Sequence, residues 1–252
     1  MIRVWRSELR KLIRPRFLLS TILVTAGLQA AITATLFLRA QGSTISDLGK
    51  ASGLFYSTKM IVPFLGMIAL CIFAANTAQE YIFGTLKNLL VRQPNRIKLM
   101  LGKVVALLTF ITFLVLTSTL VGVALSYLFS SKHNIQTSSW NIFNFEFFLS
   151  PLLNVLLSIF AYGLLGVCLA VVLRSSIMAI SAGLVWLLVI ESLVGLFGKG
   201  ISKWMPGGNF ASLGDGGSLE LSFMHSALVA GIYSVGGLAL VLIIFSRRDV
   251  AN

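Results

Sequence analysis

Acidic residues are scarce in this chain: eight aspartates and glutamates stand among 252 residues. The two histidines, His133 and His225, are far apart, and neither sits in the His-Glu-x-x-His spacing of a metalloprotease. No G-x-S-x-G nucleophile elbow is present, so catalysis has no visible constellation and the chain reads as a non-enzyme. Cysteine is equally sparse. Cys71 and Cys168 both lie inside apolar runs, where a thiol behaves as a small hydrophobe, and they offer neither a disulfide framework nor zinc spacing. Charged residues of both signs amount to 11%, against 57% hydrophobic residues and a mean hydropathy of +0.92. Such a balance excludes an ordinary soluble domain.

What the chain has instead is six apolar windows of roughly 20 residues, the length that crosses a bilayer as a helix. They run over residues 17–38, 60–78, 104–129, 151–173, 177–197 and 225–245. Only "RSSI" separates the fourth from the fifth, which predicts a tight helical hairpin. The first window is too long for a signal peptide, and its end, "FLRAQGS", is a poor cleavage site. The expected fold class is therefore an all-α membrane protein, one six-span domain over residues 1–252, with a longer outer loop over 198–224. Even spans put both termini on one side, and 14 of the 20 lysines and arginines fall on that side. The positive-inside rule then predicts cytosolic termini. The net charge of +12 is mostly a topology signal, with no nucleic-acid partner implied.

Two stretches do more than span. In "MIRVWRSELRKLIRPRF", Ile2, Trp5, Leu9, Leu12 and Ile13 recur at helical spacing while Arg3, Arg6, Arg10 and Arg14 take another face. This predicts an interfacial amphipathic helix over 1–16, with Arg3, Trp5, Arg6, Arg10, Lys11 and Arg14 at the membrane surface. Pro15 marks its junction with the first span. Serving only as an orientation signal is the plainer role for the same residues. Between the second and third spans, residues 80–103 hold a polar insert. Ile82, Phe83, Leu86, Leu89 and Leu90 share one helical face, with Gly84 as a point of interruption. Pro94 then disfavours helix at Gln93, and Asn95 can cap a second short helix, "RIKLMLGK". The plainer alternative is a solvated loop whose basic residues enforce topology.

The pattern of Glu80, Gly84, Thr85, Leu86, Leu89, Leu90, Pro94, Arg96, Gly102 and Lys103 resembles the ABC-2 type transporter permeases. Six spans, a basic amphipathic start and a proline-containing loop before the last span, "KWMPGGNFASL", fit the same layout, which is also that of type V exporters. Among these, the small chain is most similar to bacterial permeases of bacitracin resistance and lantibiotic immunity. The resemblance implies that residues 80–103 form a cytosolic coupling helix docking on an ATP-binding subunit, with Glu80, Gly84, Thr85, Leu86, Lys87, Leu90, Pro94, Arg96 and Lys103 as its contact residues. It implies export of a peptide antibiotic or other amphipathic compound across the bacterial cytoplasmic membrane, by a homodimer or a pair of homologous permeases.

Such a transporter needs ATP, yet no G-x-x-x-x-G-K-[ST] occurs: Lys103 is followed by Val104 and Lys199 by Gly200. ATP and magnesium would then belong to two copies of a partner ATPase, and this chain would carry no cofactor. Glu191, a carboxylate well inside an apolar window, is a candidate pathway residue together with Asn76. Hydrogen bonding to neighbouring helices is the competing role for both, as it is for Gln29 and Asn154. Gly163, Gly166, Gly231 and Gly236 would permit close helix packing. Two alternatives from other classes stand beside the ABC reading: a secondary transporter or channel using Glu191, and a non-transporting membrane scaffold or sensor subunit.

Overall fold

A computed structural model describes residues 1–40, 45, 48–84, 95–132, 135, 137, 138, 140 and 145–247. Among these no strand occurs, and six helices are long and apolar enough to cross a membrane, the architecture of a multi-pass membrane protein. Helix α1 (Ile2–Leu12) lies ahead of the first span, α2 (Pro15–Leu38). A 3₁₀ turn over Ala51–Phe55 and the short α3 (Tyr56–Met60) lead into α4 (Val62–Ile82). Then come α5 (Arg96–Lys132), α6 (Phe145–Leu173) and α7 (Ser176–Phe197). The short α8 (Lys199–Ser202) and α9 (Pro206–Asp215) precede the last span, α10 (Phe223–Arg247).

Three of the five prolines stand at helix starts. Pro15, Pro63 and Pro206 occupy the first two positions of α2, α4 and α9, where a missing N–H costs nothing because that donor has no intrahelical partner. At the turn between α6 and α7, Arg174 takes φ +53 and the Ser175 hydroxyl accepts from the Met178 N–H. The tight hairpin predicted at "RSSI" forms as expected. Asn95 also caps as predicted, its side-chain oxygen accepting from the Lys98 N–H at 2.9 Å. The helix it starts is not a separate short one, however. Residues 96–103 are the first turns of α5, and the one buried ammonium among them, that of Lys103, finds partners.

Helices α4, α5 and α6 form the centre and α7 the rim: 56% of the α6 window is buried inside the chain but 11% of that of α7. The α4–α6 contact depends on glycine. A Cβ on Gly163 would lie 2.5 Å from the Phe73 ring, and one on Gly166 would collide with the Leu70 carbonyl. Gly231 and Gly236 on α10 differ from the sequence expectation, since nothing lies within 4 Å of where a Cβ would be. They face outward.

Helix α9 and its approach replace the predicted outer loop. Its ten residues, "PGGNFASLGD", are too polar and glycine-rich to announce a helix, yet Phe210 and Asn209 are fully buried. The Ser158 hydroxyl donates to the Phe210 carbonyl at 2.6 Å and the Tyr162 hydroxyl to the Gly207 carbonyl at 3.0 Å. Both donors sit within the α6 span, so α9 is wedged into the bundle from the end opposite α1. At its C-terminus the Lys59 ammonium donates to the Asp215 carbonyl at 2.8 Å, a favourable place for a cation. Burial pushes the Asp215 carboxyl up, and Lys59 partly offsets this.

A polar seam joins α2, α3 and α5. The Gln29 amide donates to Thr33 Oγ1 (3.3 Å) and Ser57 Oγ (3.2 Å) and accepts from the Ser118 hydroxyl (3.4 Å). All four residues are buried. Gly122 leaves room for this amide, for a Cβ there would stand 2.5 Å from Gln29 Nε2.

Candidate functional site

Helix α1 packs on the first half of α5. Gly102 lets it approach, since a Cβ there would be 2.9 Å from the Val4 side chain, and Trp5 Nε1 donates to Thr109 Oγ1 at 3.2 Å. The buried stripe of α1 is not the one that counting apolar residues gave. Ile2 is 69% exposed and Ile13 48%, whereas Glu8 is 2% exposed. Glu8 lies four residues from Val4 and four from Leu12, on the face that α5 covers.

That placement completes an ionic cluster between three helices. Lys103 Nζ on α5 lies 2.5 Å from Glu80 Oε1 on α4 and 3.6 Å from Glu8 Oε2 on α1. Lys11 Nζ lies 2.5 Å from Glu8 Oε1 and 3.8 Å from Glu80 Oε1. Two carboxylates and two ammonium groups therefore alternate, and their charges cancel. The Lys103 side chain is 2% exposed and that of Glu80 9%. Isolated charges at such burial would be prohibitively costly, and only mutual pairing makes them tolerable. Glu80 and Lys103 were named from the insert's motif. Glu8 escaped the sequence reading, and Lys11 was assigned only to the membrane surface. The signal that would have found Glu8 is its position between Val4 and Leu12 on an apolar stripe.

The end of α4 explains Gly84. Phe83 closes the helix with its N–H on the Gln79 carbonyl, and Gly84 follows with φ +61, the left-handed conformation that ends helices and that glycine adopts without a Cβ penalty. Ile82 and Phe83 are 53% and 71% exposed, so the apolar face expected to continue through them is unpacked here. Thr85, Leu86, Lys87, Leu90 and Pro94 lie outside the described residues. Arg96, across the insert, has Nη1 3.5 Å from the carbonyls of Phe245 and Ser246. A guanidinium there faces the negative end of the α10 dipole.

Beside the cluster is a cavity of about 660 Å³ lined by residues of α1, the α1–α2 junction, α4 and α7. Asn76 contributes to its wall, and its Oδ1 has no hydrogen-bond partner among the described residues. Arg3, Arg6, Arg10 and Arg14 are exposed, and Trp5 is half-buried. Glu191 is elsewhere. It directly follows a π-helical turn, Trp186–Ile190, and its two oxygens accept from the N–H groups of Gly207 (2.8 Å) and Gly208 (3.1 Å). These are orphan donors at the start of α9, so the carboxylate acts as a cap supplied by another helix. Gly207 must be small, for a Cβ would sit 2.7 Å from Glu191 Oε2. The two candidate pathway residues thus serve different places. Glu191→Ala should destabilise the chain by about 0.5–2 kcal/mol, the usual cost of losing a cap, with Glu191→Gln in between. Thermal unfolding in detergent measures both, and an undisturbed Glu191→Ala would show that α9 is held by its packing and its other hydrogen bonds.

Among the described residues no group of three or more histidines, cysteines or acidic residues is placed to hold a metal. No curated protein matches the chain. The family described as "Protein of unknown function (DUF2705)" matches residues 21–251, the first span from residue 21 and the other five whole, but not α1. With nearly the whole length covered, the chain belongs to the DUF2705 family.

Proposed function

We propose that the chain is the membrane subunit of an ATP-driven exporter of the ABC-2 type, moving a peptide antibiotic or another amphipathic compound out of a bacterial cell. The observation that carries this is the ionic cluster. It fastens α1, the end of α4 and the start of α5 at the two borders of the insert, so a push on residues 85–94 would reach two spans and the interfacial helix as one body. A loop that only marked topology would need no such brace. The charge asymmetry supports a cytosolic α1 end in the cytoplasmic membrane. With no P-loop in the chain, two ATPase subunits would dock there with ATP and magnesium, beneath a permease dimer. Both oxygens of Glu191 are engaged by backbone N–H groups, which leaves ion-coupled transport through that residue without support.

The test is isolation of the tagged full chain from its native membrane. A P-loop ATPase should come with it, and in liposomes its hydrolysis should drive solute efflux. Isolation without any ATPase, together with solute movement driven by an ion gradient, would overturn the proposal.

A further inference from the structure

The wall of the cavity beside the ionic cluster is of two kinds: Lys11, Arg14 and Glu80 are charged, whereas Phe17, Cys71, Ile72 and Ile180 are apolar. From Glu80 to Cys71 along α4 is about 13 Å at 1.5 Å per residue. A volume of about 660 Å³ falls within the range of small-molecule sites. The shape therefore suits a guest with a polar head and an apolar tail.

Charge decides which head. Glu8, Glu80, Lys11 and Lys103 cancel one another, as the distances above require. Among the described residues, Arg14 is then the unbalanced charge on the wall, a single positive one. It stands at the α1–α2 junction, in extended backbone with φ −56 and ψ 130, and is exposed. A guanidinium matches two oxygens of a phosphate in one plane, and a phosphodiester carries one negative charge. Lys11 is engaged with Glu8 through one of its three N–H groups, so it can donate to the same phosphate. The Asn76 amide, with an unpartnered oxygen, adds a polar group on the α4 wall.

We infer that this cavity is a binding site for one anionic phospholipid, its phosphodiester held by Arg14 and Lys11 and an acyl chain laid along Phe17, Ile72 and Ile180. This goes beyond a basic helix resting on headgroups, because the site is stoichiometric and joins α1 to α4 and α7. It does not depend on an ATPase partner.

Native mass spectrometry of the full chain, released from detergent after equilibration with phosphatidylglycerol or phosphatidylcholine, counts lipids per chain. One phosphatidylglycerol should stay bound, with phosphatidylcholine weaker by about ten-fold, because its quaternary ammonium cancels the charge of the same phosphodiester and is repelled by Arg14 and Lys11. Arg14→Gln should lower that occupancy by a similar factor. Arg3→Gln, exposed on α1 but absent from the wall, should leave it unchanged. Ile180→Trp should lower it by narrowing the apolar part. Equal losses in Arg14→Gln and Arg3→Gln, or no preference between the two lipids, would overturn the site. Full displacement of the lipid by inorganic phosphate would show that free phosphate, not a lipid, is the ligand. Unchanged elution of each variant in size-exclusion chromatography certifies its fold.

Discussion

Replacement of Lys103 by methionine should destabilise the purified chain by about 3–5 kcal/mol, the cost of deleting one partner of a buried ion pair. Lys103 is 1% exposed and stands between Glu80 and Glu8. Without it two carboxylates face each other in a site that water barely reaches. Lys11 remains in range of both, but its side chain is 44% exposed and its attraction is weakened by solvent. The triple variant Glu8→Gln, Glu80→Gln, Lys103→Met should recover most of the loss, because removing a whole buried ionic group is far milder than breaking it. Thermal unfolding in detergent distinguishes these outcomes. If Lys103→Met melts with the parent chain, the cluster is not the brace proposed. The triple variant also separates stability from function: it should fold yet couple poorly, since amides and a thioether hold three helices less rigidly than paired charges.

Gly166→Val should be comparably severe, for a steric reason. The first atom of any side chain at this position meets the Leu70 carbonyl, and its next neighbours are the Leu70 Cα and carbonyl carbon. Backbone cannot swing aside as a side chain does, so α4 and α6 must separate. Overpacking in a closed core costs about 1–3 kcal/mol, and a collision with main chain belongs at the top of that range. Gly231→Ala is the matched control. With open space around it, alanine should be neutral or stabilise α10 by up to about 1 kcal/mol through helix propensity. Measured side by side, a fall for Gly166→Val and none for Gly231→Ala supports the seam. Equal behaviour would place the helix contact elsewhere.

The six spans were legible because each carries its evidence locally, as a run of apolar residues of the right length. The third was underestimated most. A hydropathy window opens at Val104, whereas α5 begins at Arg96, because Lys103 is made acceptable by residues 23 and 95 positions away in the chain. Such partners have no local signature. Glu8 looked like one more polar residue in a basic segment until α5 was seen to cover it. Helix α9 was hidden for a related reason. Its sequence disfavours helix, and what caps its start is a glutamate from α7 that directly follows a π-helical turn, a feature frequent at functional sites. Cap and turn signals fared better. Pro15, Asn95 and the "RSSI" hairpin each act within four residues, and each formed where the residues indicated.

The Gln29 seam bears on how the chain is made. Its amide belongs to the first span, but one of its partners, Ser57, is 28 residues later and another, Ser118, is 89 residues later. At about 5–20 residues per second of synthesis, the first span waits roughly 4–18 s for the third. During that interval the Gln29 amide can donate to Thr33 within its own span, but its oxygen still lacks Ser118, and lipid offers no donor. The first span is therefore poorly suited to leave the insertion machinery by itself. The seam favours holding the early spans together until α5 emerges.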